Sequence, residues 1–378
     1  MSGSETTGRF ARWAFEEYAP RELDLAIFRV IYAAYGLLIA LPNLDRVADF
    51  GDVDFRPPPG PMRLLETWPT SNVMTVLELV LAVGLGLLLI GWRTSWVSPL
   101  TTVAWLAALS VLFSTGKIAH AHAVFTLIPL FLGPAGWGNR LSVDARRDRS
   151  GPVRAWPLAL LATTVALMLF TAARPKIEAG WLNTDAPAVR RIFIDRVFLR
   201  ERASPTAEWM LDNIISGLLW EIIDWATISL ELGLVVLVLR RRWWMAGLAF
   251  ATVFHTSIHA LLDIDFAAQV VAYGAFVRWG GFIPASRTPA TTPRWQSTRR
   301  VLDNDAVALA IGGLIGWMAV TRADSTDVAL GSLAWGQHEW INSAVLYVAA
   351  TLAMAWMLGR TLQRRKSDEA TAVPPDGR

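Results

Sequence analysis

The stretch VMTVLELVLAVGLGLLLIG, Val73–Gly91, holds nineteen residues and a single charge, Glu78. As a helix rising about 1.5 Å per residue it covers about 28 Å, close to the thickness of a bilayer's hydrocarbon core. In hydrocarbon every backbone amide must be satisfied within its own segment or in a closed barrel, and this run is too long and continuous for a barrel strand. It therefore reads as a membrane-crossing helix. Similar runs occur at 25–42, 97–114, 123–134, 156–173, 218–239, 243–262, 266–283, 306–320 and 341–358. The expected fold is all-α: a polytopic transmembrane helical bundle of about ten spans.

Composition agrees with that reading. Of 378 residues, 53% are hydrophobic and 19 are tryptophan, most of them near the ends of the runs, where an aromatic belt belongs. The absence of cysteine excludes disulfides, thiolate nucleophiles and cysteine-ligated metal. A pI of about 9.5 would suggest nucleic acid in a soluble protein. Here the positive charge sits in short connections instead, at Arg93, 139–154, Arg240–Arg242, 287–300 and 360–366. These are alternate connections, so the positive-inside rule places both termini in the cytoplasm and the acidic 43–61 loop outside, with no nucleic-acid partner. The chain reads as a multi-pass protein of the cell membrane. Its expected parts are a cytoplasmic arm (1–24), a transmembrane core (25–285), a cytoplasmic linker (286–305), two further spans (306–358) and a disordered cytoplasmic tail (359–378). The 190–213 connection carries five arginines on the outer side and is expected to lie as an amphipathic helix along the headgroups.

On this topology all five histidines, His120, His122, His255, His259 and His338, fall on or near the outer side with Lys117 and Lys176. His120 and His122 stand two apart, which turns their side chains to different helical faces, so no metal site is expected. His255, His259 and Asp263 follow one another at single helical turns and form a polar stripe. It reads either as a proton or ligand site or as a hydrogen-bonded belt between helices. Lys176 also has two readings. It can snorkel to the headgroups beside an interfacial Trp181, or it can face inward, where desolvation favours a neutral amine able to accept a proton. Pro175 is expected to break the span and begin a short helix. Arg29 is expected to snorkel to the cytoplasmic face, and Glu78 and Glu231 to pair across helices.

Four pieces of sequence resemble one family. They are the opening span LAIFRVIYAAYGLL (25–38), the His120-Ala-His122 region with its LSVDA exit (141–145), PKIEAGWL (175–182) and VFHTSIHALLDIDFA (253–267). In this order they resemble the HTTM (horizontally transferred transmembrane) domain, the membrane part of vitamin K-dependent gamma-glutamyl carboxylase and its bacterial relatives. The resemblance implies a catalytic role for Lys176, as the base that deprotonates vitamin K hydroquinone, with His255 as its polar partner. It implies that His120 or His122 is the polar group near the reacting ring, and His120, His122, Trp181 and His259 are the residues expected to hold the cofactor, a vitamin K or menaquinone hydroquinone. In the carboxylase, oxygen then adds to the hydroquinone and the strongly basic product takes a proton from a glutamate, which captures carbon dioxide. The family's acidic residue before the tryptophan is Gly180 here. The chain ends soon after its last expected span, so no counterpart of the large lumenal domain is expected, and quinol chemistry is expected rather than carboxylation of a protein. The expected partners are membrane lipids, a quinone-like small molecule and a secreted or membrane protein. The alternative from another class is a non-catalytic membrane protein that assists export, maturation or immunity for a secreted partner.

Overall fold

The computed structural model describes residues 8–282 apart from 45–46, 48–49, 117–119 and 201–203. The two C-terminal spans, the linker, the tail and His338 lie outside the described residues. Among the described residues the chain is helical, with no strand, and divides into two compact units: 8–161 with 278–282, and 162–277.

The first unit begins with a short turn at Arg9–Arg12 and then α1 (Glu22–Tyr35), which runs on through a wider turn at Gly36–Ala40. Then come α2 (Ser71–Ile90), α3 (Thr94–Phe113), α4 (His120–Ala135) and the start of α5 (Trp156–Glu178). Small residues set how closely these helices approach. A Cβ on Gly84 of α2 would stand 2.6 Å from Thr101 Oγ1 of α3, and one on Gly133 of α4 would stand 2.8 Å from Ser98 Cβ. Close backbone approach through small side chains is how helices associate in lipid, where no hydrophobic effect drives them together. Serines and threonines facing this seam bond back to the carbonyl four residues earlier, as Thr101 does to Val97 O at 2.8 Å, and so bring no unsatisfied hydroxyl inside. Aromatic packing fills the rest, with Tyr32 stacked on Phe125 at 4.5 Å and Trp105 edge-on to Phe125 at 5.6 Å.

Arg29 does not snorkel. It is fully buried, and its guanidinium donates to the carbonyls of Trp137 at 2.8 Å, Arg140 at 3.2 Å and Leu141 at 2.5 Å. The planar fork of donors matches a loop that turns its carbonyls inward, so Nη1 and Nη2 are met by backbone while Nε has no hydrogen-bond partner among the described residues. Glu78 is likewise buried, and it accepts from the backbone N–H of Leu44.

The second unit takes the rest of α5, then α6 (Ala188–Ile194), α7 (Pro205–Asn213), α8 (Gly217–Leu237), α9 (Arg241–Leu262) and α10 (Ala267–Tyr273). Its core gathers Val189, Phe193, Ala207, Trp220 and Leu262. The arginine-rich 190–213 connection does form short helices with one buried face, α6 and α7, and that face packs on α8 and α9. α9 lies close to α8 at Gly247, where a Cβ would meet Leu234 and Leu237 side chains at 2.7 and 2.8 Å.

Among the described residues five helices are long and apolar enough to cross a membrane: Glu22–Ala40, α2, α3, α5 and α9. α8 matches them in length but carries Glu221, Asp224 and Glu231. The run at 266–283 does not form a span. It folds as α10 and two 3-10 turns, Gly274–Phe276 and Trp279–Phe282, and every residue of α10 is buried. Continuous apolarity marked a packed short helix here, a case that periodicity alone does not separate from a membrane span.

Candidate functional site

The candidate site lies in the second unit and begins at the end of α5. Pro175 does not break this helix, which runs through it to Glu178. Only its last turn follows the proline, so the bond lost for want of an N–H lies near the end. The stop comes at Gly180, whose φ of 79° is left-handed. Its N–H bonds Ile177 O at 3.0 Å, and the Trp181 N–H bonds Lys176 O at 3.1 Å. These are the two bonds of a Schellman motif, with glycine where the chain must turn left-handed. The position that is acidic in the resembling family therefore serves backbone geometry here. The turn folds Trp181 back so that Lys176 Nζ lies 5.5 Å from the centre of its ring. Trp181 itself is partly buried and packs on the core cluster.

From α8, Glu231 reaches Lys176 and its Oε1 forms an ion pair with Nζ. The lysine side chain keeps 26% exposure and the glutamate 7%. Glu231 belongs to a buried stripe of α8 that includes Trp220, Asp224, Thr227, Ile228 and Leu234. Asp224, two turns before it, accepts the N–H groups of Ala188 at 2.7 Å and Val189 at 2.8 Å and so fastens the start of α6 to α8. Two carboxylates seven residues apart share a helical face, and on an apolar helix that spacing is the signal that marks them. Glu231 thus pairs across helices as expected, whereas Asp224 has a structural part that no single residue of the run announces.

α9 contributes His255, buried, at a distance from which the Lys176 charge acts on its ring. Tyr273 of α10 places its hydroxyl 3.5 Å from His255 Nδ1, at the long limit of a hydrogen bond, and accepts from Gln269 Nε2 at 2.6 Å. Which of the two groups donates in this contact depends on the imidazole tautomer. Phe266 lies 4.6 Å from the imidazole, centre to centre. Gln269 and Tyr273 stand four apart on one helical face, a polar pair within what had read as a span.

His259 is buried one turn beyond His255. Asp263 leaves the stripe: α9 ends at Leu262, and Asp263 takes a left-handed φ of 50° and is exposed. His122 stands near the start of α4 in the first unit, and the side chains of His120 and Lys117 lie outside the described residues. Among the described residues no group of three metal-ligating side chains could hold an ion.

A lysine paired with a carboxylate, with a buried histidine and tyrosine on other helices of the same unit, has the groups that a proton transfer needs. The HTTM domain family matches residues 21–274. The chain belongs to the HTTM domain family. It is thus a membrane protein related to the vitamin K-dependent carboxylase family, and the matched region of this HTTM domain contains every side chain of the candidate site. Neither a curated protein nor a solved structure matches the chain.

Proposed function

We propose that this HTTM protein binds a lipid-soluble hydroquinone of the vitamin K or menaquinone type beside Lys176 and uses the lysine to take a proton from its hydroxyl. The observation that carries the proposal is the Lys176–Glu231 pair with Trp181 against the lysine. The residues suit such a ligand: a hydroxylated ring asks for a base at its oxygen and flat apolar surfaces on its faces, and Trp181 and Phe266 are the aromatic neighbours available. When bound, the hydroquinone would supply the oxygen-dependent redox chemistry that amino acids lack.

The chain's own part is the proton. Passing one from Nζ to Glu231 Oε1 leaves a neutral amine and a carboxylic acid, and the amine can then accept a proton from a hydroxyl. Glu231 is thus a positioning residue and a temporary proton holder, and His255 with Tyr273 forms a second polar contact for the ligand. His259, buried one turn beyond His255, is proposed to line the same site. We further propose a multi-pass protein of the cell membrane with its N-terminus cytoplasmic, a reading supported by the basic connections at Arg93 and 139–154.

Oxygen uptake with reduced menaquinone, on purified protein in lipid nanodiscs, is the test. Lys176→Arg keeps the charge but not the base, since a guanidinium stays protonated, and is expected to abolish turnover while leaving the melting temperature within a few degrees. If turnover survives in Lys176→Arg, the pair is structural glue and the non-catalytic reading takes over.

A further inference from the structure

In the first unit, α3 begins where α4 ends, and the 136–155 connection folds across both ends. A cleft of about 490 Å³ opens there. Three arginines line it, Arg93 at the start of α3 and Arg149 and Arg154 on the connection, together with Asp144. Three positive charges against one negative leave the lining at net +2. Asp144 is already committed: its carboxylate accepts the backbone N–H groups of Arg93 at 2.8 Å and Thr94 at 2.7 Å and the Thr94 hydroxyl at 2.9 Å. The helix start is thereby closed by the protein's own carboxylate, and the attraction for an anion comes from the arginine side chains, all three of which are exposed.

A second observation concerns what such an anion is attached to. Trp96, which lines the cleft, is 71% exposed, and Leu100 and Val103 are each 64% exposed. Positions 96, 100 and 103 fall on one face of α3, so an apolar lane leads from the cleft down a helix long and apolar enough to cross a membrane. Other sides of α3 are spent on α2 and α4.

We propose that this cleft binds the phosphate of an anionic lipid headgroup, with the lipid's acyl chain lying along the Trp96, Leu100 and Val103 face of α3. The recognising chemistry is guanidinium to phosphate, and the lane selects a phosphate carried by a lipid over a soluble phosphate ester.

Native mass spectrometry of the full chain, released from mixed micelles holding equal phosphatidylglycerol and phosphatidylcholine, reads the preference directly. Wild type is expected to retain phosphatidylglycerol over phosphatidylcholine. Arg149→Gln with Arg154→Gln is expected to reduce that preference about thirtyfold, each arginine contributing in the range known for basic residues near an anionic surface. The exposed pair Arg9→Gln with Arg12→Gln, outside the cleft, is expected to change it less than twofold. Equal retention of the two lipids by wild type, or an equal loss in both double variants, would overturn the proposal as general surface charge. Glycerol phosphate added at millimolar concentration is expected not to displace the lipid. Displacement by it would show that a soluble phosphate ester is the occupant and overturn the lipid assignment.

Discussion

Among the described residues one cation in each unit makes a useful contrast, Arg29 in the first and Lys176 in the second. Arg29 in the first unit has no exposure and gives its donors to three backbone carbonyls. Lys176 in the second keeps partial exposure, and one carboxylate and one aromatic ring face its ammonium. The guanidinium's fixed fork is matched by fixed acceptors, so it fastens a loop and has no route to proton exchange. The ammonium is a point charge whose partner can itself take a proton, and it remains open to water or ligand. Burial of a charge therefore does not separate structure from chemistry; the partner's ability to change state does.

The largest effect that would test this contrast is at Arg29. Arg29→Lys keeps the charge, but a single ammonium cannot reach carbonyls spread over Trp137, Arg140 and Leu141. It is expected to destabilise by about 3–5 kcal/mol, seen as loss of folded protein or a large fall in melting temperature in detergent. Near-normal stability would mean that the loop does not depend on the fork, and the contrast would fail.

Glu231→Ala should come next. It leaves a lysine facing a vacated, mostly buried site, with an expected cost of about 2–3 kcal/mol, below the cost at Arg29 because Lys176 can turn to solvent. Glu231→Gln, which keeps the shape and removes the proton holder, should lower menaquinone-dependent turnover more than it lowers stability. Equal losses in both would make the pair structural, like Arg29.

The two helix-ending glycines provide a matched pair. Gly91, at the end of α2, and Gly180, at the end of α5, both take left-handed φ and both close with the same two backbone bonds. A Cβ at Gly91 would meet Ser142 Cβ at 2.4 Å and Arg29 Cζ at 2.8 Å, whereas nothing lies within 4 Å of one at Gly180. Gly91→Ala should therefore cost about 2 kcal/mol or more, and Gly180→Ala only the conformational strain of about 1 kcal/mol. Differential scanning fluorimetry on the two variants separates crowding from strain, and equal shifts would remove the crowding term. The smallest effect is at Asp263, also left-handed and exposed, where Asp263→Gly should stabilise by about 0.5 kcal/mol.

Sequence alone established that the protein is helical and built for a membrane, because unbroken apolar length such as Val73–Gly91 admits few other structures where water is absent. It also carried the family, since the pieces around Arg29, Lys176 and His255 keep their order, and it singled out Lys176 and the His255–His259 face. It gave no way to see that Pro175 would be absorbed in the last turn of a helix, that the run at 266–283 would be short and buried, or that Arg29 would be satisfied by carbonyls more than a hundred residues away. Those outcomes depend on which groups the folded chain brings within a few ångströms. Glu231 shows the division most plainly. Its place on an apolar helix fixed that it needed a partner, because a lone carboxylate is costly in such surroundings. That the partner is Lys176, and not backbone as for Glu78 and Asp224, was decided by the fold bringing the end of α5 within reach of Glu231, which local sequence does not encode.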